Sequence, residues 1–287
     1  MYKIVQKKNL NPTVVQLDVE APLVAAKALP GQFIILRVDS EGERIPLTVA
    51  GTDKTAGTVR IIVQIVGATT FQLGQMEEGQ SLSDFVGPLG VPTHIDGLKK
   101  VCIVGGGVGC AIAFPIAKAL HEKGADVTSI IGFRSKDLII LEKEFDEVSQ
   151  KSVLMTDDGS AGREGNVTLP LKEMLEAGQK FDEIIAIGPL IMMKYVVLTA
   201  KPFGTPVTVS MNPIMIDGTG MCGGCRLTLR TSDGKAVTKF ACVDGPDFNG
   251  YEVDFDEAMS RGRMYADYER HAYEAACNLF KAADKQG

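Results

Sequence analysis

Three cysteines and one aspartate stand at a spacing suited to metal chemistry: Asp217-x4-Cys222-x2-Cys225-x16-Cys242. Plant-type [2Fe–2S] ligation uses C-x4-C-x2-C…C, and this segment keeps that spacing with a carboxylate in the first place. Thiolates select iron–sulfur clusters or zinc, and a carboxylate oxygen is an unusual fourth ligand for either. Gly218, Gly220, Gly223 and Gly224 let the backbone wrap closely around a cluster and aim N–H groups at its sulfurs. The residues admit three readings: a [2Fe–2S] cluster on Asp217, Cys222, Cys225 and Cys242; a structural zinc site on the same four; or free thiols on a loop. Zinc sites are usually built from Cys and His alone. The only histidines are His94, His121 and His271, which also disfavours Rieske-type ligation, so the cluster is the preferred reading. Cys102, Cys110 and Cys277 are scattered and read as buried small hydrophobes or bystanders.

A second segment with chemical potential is "VCIVGGGVGC". Gly105, Gly106, Gly107 and Gly109 fall between an apolar β run and a helical pattern. Glycines there permit a tight turn and close approach to a phosphate, and the following helix N-terminus offers free N–H groups and partial positive charge. The G-x-G-x-x-G fingerprint is met at Gly105 and Gly107, with Cys110 in its third place. A dinucleotide loop and a plain strand–helix turn both fit that pattern. Two later loops follow strand ends at the same sheet edge: Gly132–Arg134 with Ser135, and Asp157–Asp158–Gly159–Ser160. Arg134 suits a phosphate or an adenine face, and Asp157 or Asp158 a ribose hydroxyl; each equally suits solvent. Nearer the N-terminus, Arg44 stands in a β pattern two residues before Pro46, and "VGATT" supplies Gly67, Thr69 and Thr70. An arginine with a Gly/Thr loop can hold a pyrophosphate through charge-assisted bonds, or can be ordinary surface.

The elements that must position these residues change character along the chain. "TVVQLDVE", "GQFIILRV", "IPLTVA" and "TVRIIVQIVG" are short β-branched runs punctuated by Pro-Gly and Gly-rich turns, which predicts a small antiparallel barrel or sandwich over 1–97. From 98 to 208, β runs alternate with helical patterns such as "AFPIAKALHEKG", "LIILEKEFDEVSQ" and "PLKEMLEAG". That alternation predicts a doubly wound parallel sheet ending in "TPVTVSMN". Residues 209–250 form the Gly- and Cys-rich segment, and 251–287 a tail of helix-forming composition. The 287 residues carry a formal net charge of −6, with 45% hydrophobic and 23% charged residues. This argues for a globular protein and against nucleic acid or an anionic membrane as main partner. No apolar run reaches transmembrane length and MYKIVQKKNL does not resemble a signal peptide, so a cytoplasmic location is expected.

Together these segments resemble, over about residues 2–250, the ferredoxin-reductase-like electron-transfer proteins. The nearest branch contains the electron-transfer subunits of dihydroorotate dehydrogenase and the small subunits of NADH-dependent ferredoxin:NADP⁺ oxidoreductase, also known as sulfide dehydrogenase beta subunit-like. The resemblance implies FAD on the barrel, NAD(H) on the doubly wound domain and a [2Fe–2S] cluster in the C-terminal segment. "RIPLT" is similar to the flavin motif, which would put Arg44 on the FAD pyrophosphate and Pro46, Leu47 and Thr48 along the isoalloxazine, with Thr48 near N5. "IVQ", Ile62, Val63 and Gln64, resembles the segment flanking the ribityl chain, and Thr69–Thr70 the second pyrophosphate contact. "GGGVG", including Val108, is similar to the nicotinamide-nucleotide phosphate loop, and Gly188–Pro189 to the loop near the nicotinamide. Two positions depart from the family: Ile112 replaces a helix-opening proline, and Ile187 replaces the cysteine before Gly-Pro. Asp217 in place of a fourth cysteine favours the ferredoxin:NADP⁺ branch.

The resemblance implies an electron-transfer subunit of a bifurcating enzyme, with no protein acid or base required for hydride transfer and a larger flavin and iron–sulfur subunit as partner. The tail at 251–287 is then a docking element or a helix packed on its own domain. The alternatives are the electron-transfer subunit of a dihydroorotate dehydrogenase and, from another class, a zinc-stabilised nucleotide-binding module.

Overall fold

The computed structural model describes residues 1–283. Its N-terminal strands are β1 (Tyr2–Asn11), β2 (Val14–Glu20), β3 (Phe33–Arg37), β4 (Ile45–Thr48), β5 (Gly51–Asp53), β6 (Thr58–Gln64), β7 (Ser81–Leu82) and β8 (Asp84–Leu89), with helices α1 (Pro22–Ala25) and α2 (Ala68–Gln75). They make two antiparallel sheets, β5-β6-β2-β1-β7 and β4-β3-β8, which close over one apolar core. Period-two alternation explains the closure. Val15, Leu17 and Val19 of β2 and Ile61 and Val63 of β6 face that core together with Ile34, Leu36 and Phe85. Val14 and Ile62 point the other way, into the core of the next domain.

That domain follows at once: β9 (Lys100–Gly106), α3 (Gly109–Glu122), β10 (Asp126–Phe133), α4 (Glu142–Val148), β11 (Lys151–Thr156), β12 (Arg163–Glu164), α5 (Thr168–Glu176), β13 (Glu183–Ile187), α6 (Leu190–Ala200) and β14 (Val207–Ser210). The sheet order is β12-β11-β10-β9-β13-β14, all parallel, with one further antiparallel edge strand, β17 (Asp247–Asn249). The order reverses between β9 and β13, and ligands of doubly wound sheets bind outside the strand ends at such a switch point. β9, buried on both faces, reads as the near-continuous apolar run expected of a central parallel strand.

Between β14 and β17 the chain leaves the sheet. Residues 211–225 have no regular structure, β15 (Arg226–Arg230) and β16 (Ala236–Phe240) form a hairpin, and α7 (Ala241–Asp244) carries Cys242. The chain ends in α8 (Phe255–Arg261) and α9 (Ala266–Ala283); residues 284–287 of the tail lie outside the described residues.

Three elements differ from the sequence reading. The helix expected over "LIILEKEFDEVSQ" is confined to α4, because Ile140 is drawn into the core and Leu141 turns to φ 58°. The "VGATT" loop is the start of α2, with Gly67 as its N-cap. The strand "TPVTVSMN" is not the last of the sheet, since β17 returns beside it.

Candidate functional site

The switch point carries a close-packed glycine turn. A Cβ on Gly106 would lie 2.4 Å from Met192 Sδ, and one on Gly109 would lie 2.4 Å from the Ile187 carbonyl oxygen and 2.8 Å from Gly188 Cα. Only glycine lets the start of α3 pack on the β13–α6 turn. Gly107 has φ 55° and its N–H donates to the Gly132 carbonyl at 2.8 Å, which ties the turn to the end of β10. Gly105 sits behind it, against Cys110.

In front of this turn lies a cavity of about 850 Å³, within the size range of small-molecule sites. Its wall includes Gly106, Gly107, Val108 and Gly109 from the turn, Arg134 and Asp157 from the ends of β10 and β11, and Gly188 and Pro189 after β13. Gln64 and Val66 of the barrel close one side, and Ser210 and Asn212 lead from β14 toward the cysteine segment. The two candidate aspartates separate. Asp158 accepts from the N–H and hydroxyl of Ser160, at 3.0 and 2.6 Å, which holds its carboxyl below the usual carboxylate range. Its side chain is used by its own turn, and Asp157 alone faces the cavity.

Of the barrel candidates, Gln64 lines this cavity and the others lie apart from its wall. All four residues of β4 are half-buried; Ile45 and Leu47 pack onto the barrel core, which leaves Pro46 and Thr48 on the opposite face. Val63 is in the core, so only its backbone can meet a ligand. Thr70 caps α2, receiving the Gly67 N–H at 2.9 Å, and the Thr69 hydroxyl donates to Glu43 at 2.8 Å, beside Arg44. Arg44 Nε donates to the Ile216 carbonyl at 2.8 Å, linking the barrel to the cysteine segment. The missing Cβ of Gly218 makes the same join tighter, since it would lie 2.7 Å from Leu89 and 3.0 Å from Ile35.

In the cysteine loop, Met211 and Met215 are buried anchors. Gly218, Gly220 and Gly223 take φ values of 76°, 83° and 65°, a left-handed region that favours glycine. Cys225 and Cys242 are buried with sulfurs 3.2 Å apart, while Cys222 is exposed. Burial and the Cys225 sulfur push the Cys242 thiol up, and the Gly220 N–H directed at it pulls it back. A thiolate there calls for a compensating cation. Asp217 accepts from the N–H groups of Thr219 and Cys222 at 3.0 and 2.8 Å, with its carboxyl lowered by the Thr219 bond first. An ionised carboxylate has lone pairs left after two such bonds. Among the described residues no three His, Cys, Asp or Glu side chains converge into a ready-made metal site. The donor types, three thiols and a carboxylate, suit a thiolate-held centre, with Cys225 and Cys242 already adjacent. Cys102 and Cys110 are fully buried, and burial pushes the Cys102 thiol up to about 12, so both are inert core.

Sequence reading missed the contributions of Asn11 and Thr13 at the β1–β2 turn, of Met192 and Tyr195 on α6, and of Asn212. Tyr195 carries a faint signal, a polar-tipped aromatic in an otherwise apolar helix; the others carry none, because their facing depends on how the domains meet.

Comparison with known proteins accords with this geometry. A family model for the iron–sulfur cluster binding domain of dihydroorotate dehydrogenase B matches residues 212–254. A solved chain from a study of flavin-based electron bifurcation in NADH-dependent reduced ferredoxin–NADP oxidoreductase is 45% identical, with a TM-score of 0.89 over 96% of this chain and 97% of that one. The ferredoxin reductase of carbazole 1,9a-dioxygenase, at 20% identity and a TM-score of 0.61 over 72% of this chain and 67% of its own, shares the ferredoxin-reductase-like fold. A Thermotoga maritima protein named as a homolog of the dihydroorotate dehydrogenase B (NAD(+)) electron transfer subunit is 47% identical over 95% of this chain and 94% of its own. The subunit of that name from Streptococcus pneumoniae is 32% identical over 86% and 94%. On these matches the chain belongs to the family of dihydroorotate dehydrogenase B electron transfer subunits and their homologues.

Proposed function

We propose that this chain passes electrons between NAD(H), FAD and a [2Fe–2S] cluster, as the smaller subunit of a flavin-based electron-bifurcating NADH-dependent ferredoxin:NADP⁺ oxidoreductase. It works with a larger flavin and iron–sulfur subunit. The observation that carries this reading is the continuity of the cavity, which runs from the glycine turn past Gln64 of the barrel to Asn212, five residues before Asp217. The solved relative from the bifurcation study supports this branch.

Each part of the chain then has one task. Gly105–Gly109 and the first turn of α3 hold the nucleotide phosphates, Arg134 supplies positive charge, and Asp157 accepts from a ribose hydroxyl and disfavours a 2′-phosphate, hence NAD(H). Arg44 and the Gly67–Thr70 turn hold the FAD pyrophosphate, Pro46 and Thr48 lie along its ring, and Ile62 to Gln64 flank its ribityl chain. Cys222, Cys225, Cys242 and Asp217 hold the cluster, and the Thr219 and Cys222 N–H groups keep the Asp217 carboxylate oriented and ionised. When bound, a flavin would supply two-electron hydride exchange with one-electron release, and a cluster would carry single electrons. The working division is 1–97 for FAD, 98–208 for NAD(H), 209–250 for the cluster and 251–287 as tail, with β17 returned to the α/β sheet. No described helix is long and apolar enough to cross a membrane.

The second reading, the electron-transfer subunit of a dihydroorotate dehydrogenase, is favoured by the relatives' names and the iron–sulfur family model. Co-purification with the native partner decides. NADPH-driven reduction of ferredoxin that requires NAD⁺ supports the bifurcating enzyme, and oxidation of dihydroorotate by the complex supports the second reading. A colourless chain containing zinc and no flavin would sink both.

A further inference from the structure

The residues after the cysteine segment touch both halves of the molecule. α8 is anchored to the α/β layer: Phe255 is buried in its core, Asp254 accepts the Glu257 N–H at 3.0 Å and pairs with Arg230 at 2.7 Å, and Lys194 of α6 pairs with Asp256 at 2.7 Å. The turn at 262–265 is exposed. α9 then crosses to the barrel and lies along α2, where the Tyr273 ring meets Phe71 edge-on, with centres 5.9 Å apart at 83°. Ala272, Tyr273, Ala276 and Cys277 are half-buried; their i, i+1, i+4, i+5 spacing forms one stripe facing α2.

α2 needs such support. Helices of two turns draw their stability from packing rather than propensity. Leu73 is fully buried in the barrel core, and Phe71 is half-buried on the side that α9 covers. The first turn of α2 is Gly67 to Thr70, and its Thr69 hydroxyl reaches Glu43, the neighbour of Arg44. An unbroken set of contacts therefore runs from the tail through Phe71, α2 and Thr69 to the Arg44 segment.

We propose that α9 is a clasp, and that Tyr273, seated on Phe71, is a positioning residue that fixes α2 and the Arg44 segment in the geometry that retains the flavin. The tail thereby stabilises a cofactor site from outside while α8 holds its other end on the nucleotide domain. The inference rests on the reading of the barrel as the flavin site.

The test uses the full chain with its native partner and three variants: a chain ending at Gly262, Tyr273→Ala and Tyr273→Phe. One readout is hydrogen exchange of the α2 amides, and the other is flavin retention, measured from the fluorescence of flavin released beyond that released by the partner subunit alone. The truncation is expected to speed α2 exchange and weaken flavin retention about tenfold. Tyr273→Ala should weaken it about fivefold through loss of the edge-on ring pair, and Tyr273→Phe should match the wild type. Cluster absorbance per chain should not change. Wild-type flavin retention in the truncated chain overturns the proposal, with or without faster α2 exchange, and a Phe variant as weak as the Ala variant removes the ring contact as the seat. A wild-type chain that binds no flavin sinks the reading of the barrel instead, and the α2 exchange rates alone then decide whether α9 holds α2.

Discussion

Gly105–Gly109 and Gly218–Gly224 are both glycine-rich turns at the sites proposed for ligands, but they are built differently. The first is wedged between a central strand and two helices, with Ile187, Gly188 and Met192 where side chains would otherwise stand. The second spans irregular chain and is held by two buried methionines, a paired sulfur couple and the hydrogen bonds of one aspartate. The nucleotide turn is shaped by the core without help from a ligand. The cysteine loop brings only Cys225 and Cys242 together, and on the proposed reading a bound cluster would gather the remaining donors. Preorganisation therefore differs between the two ends of one electron path.

The largest effect that would break this contrast comes from the cysteine loop. Cys225→Ser, or removal of iron by a chelator, is expected to abolish cluster absorbance and to raise hydrogen exchange across 212–245, while β9 and α3 keep their protection. Loss of protection in α3 as well would show that the two regions are one cooperative unit. The next test acts on the other side. Gly109→Ala must displace backbone, so unfolding in denaturant should show a loss of ~1–3 kcal/mol or more, together with loss of nucleotide binding. Gly224→Ala, whose Cβ would have its nearest neighbours at 3.5 and 3.7 Å, should change stability by less than about 0.5 kcal/mol. Equal costs at the two positions would erase the distinction.

A smaller change sharpens the nucleotide side. Asp157→Ala should raise the KM for NADH about tenfold, as expected for one lost hydrogen bond to a charged acceptor, with kcat unchanged because binding is lost equally in ground and transition states. Asp158→Ala should leave KM near the wild-type value, since that carboxylate serves Ser160.

The smallest effect lies at the seam between the regions. Asp247, at the start of β17, accepts from the Thr93 hydroxyl at 2.6 Å, and burial raises its carboxyl above 3.8. The folded chain thus binds this proton more tightly than the unfolded one. The stability it contributes is complete below pH 3.8 and is lost as pH rises through the folded value. Asp247→Asn mimics the protonated acid, so its melting temperature should match the wild type near pH 4 and exceed it by about 2–4 °C at pH 8. A gap that narrows with pH would refute the assignment.

The glycine turn and the ligand spacing are legible in the sequence because both are local. A strand followed by a glycine-rich turn and a helix, or cysteines a few residues apart, constrain their own neighbourhood whatever surrounds them. The barrel's alternation is legible for the same reason, although β1 is obscured by its lysines, of which Lys3 and Lys8 are exposed and Lys7 is half-buried. Asp157 and Asp158 are equivalent in sequence; only the turn geometry assigns one to Ser160 and the other to the cavity. Val63 and Gln64, adjacent in β6, likewise divide between core and cavity by the pleat.

By itself the amino-acid sequence determined the order of barrel, doubly wound sheet, cysteine segment and helical tail, together with the donor types of each, because hydrophobic period and ligand spacing act over a few residues. Only the tertiary structure decided that Asn11, Tyr195 and Asn212 share one cavity, that Arg44 reaches Ile216, and that α9 turns back onto α2. Those contacts join residues far apart in the chain, and which faces meet is settled by the packing of whole domains, a long-range balance of buried surface that no short stretch of sequence encodes.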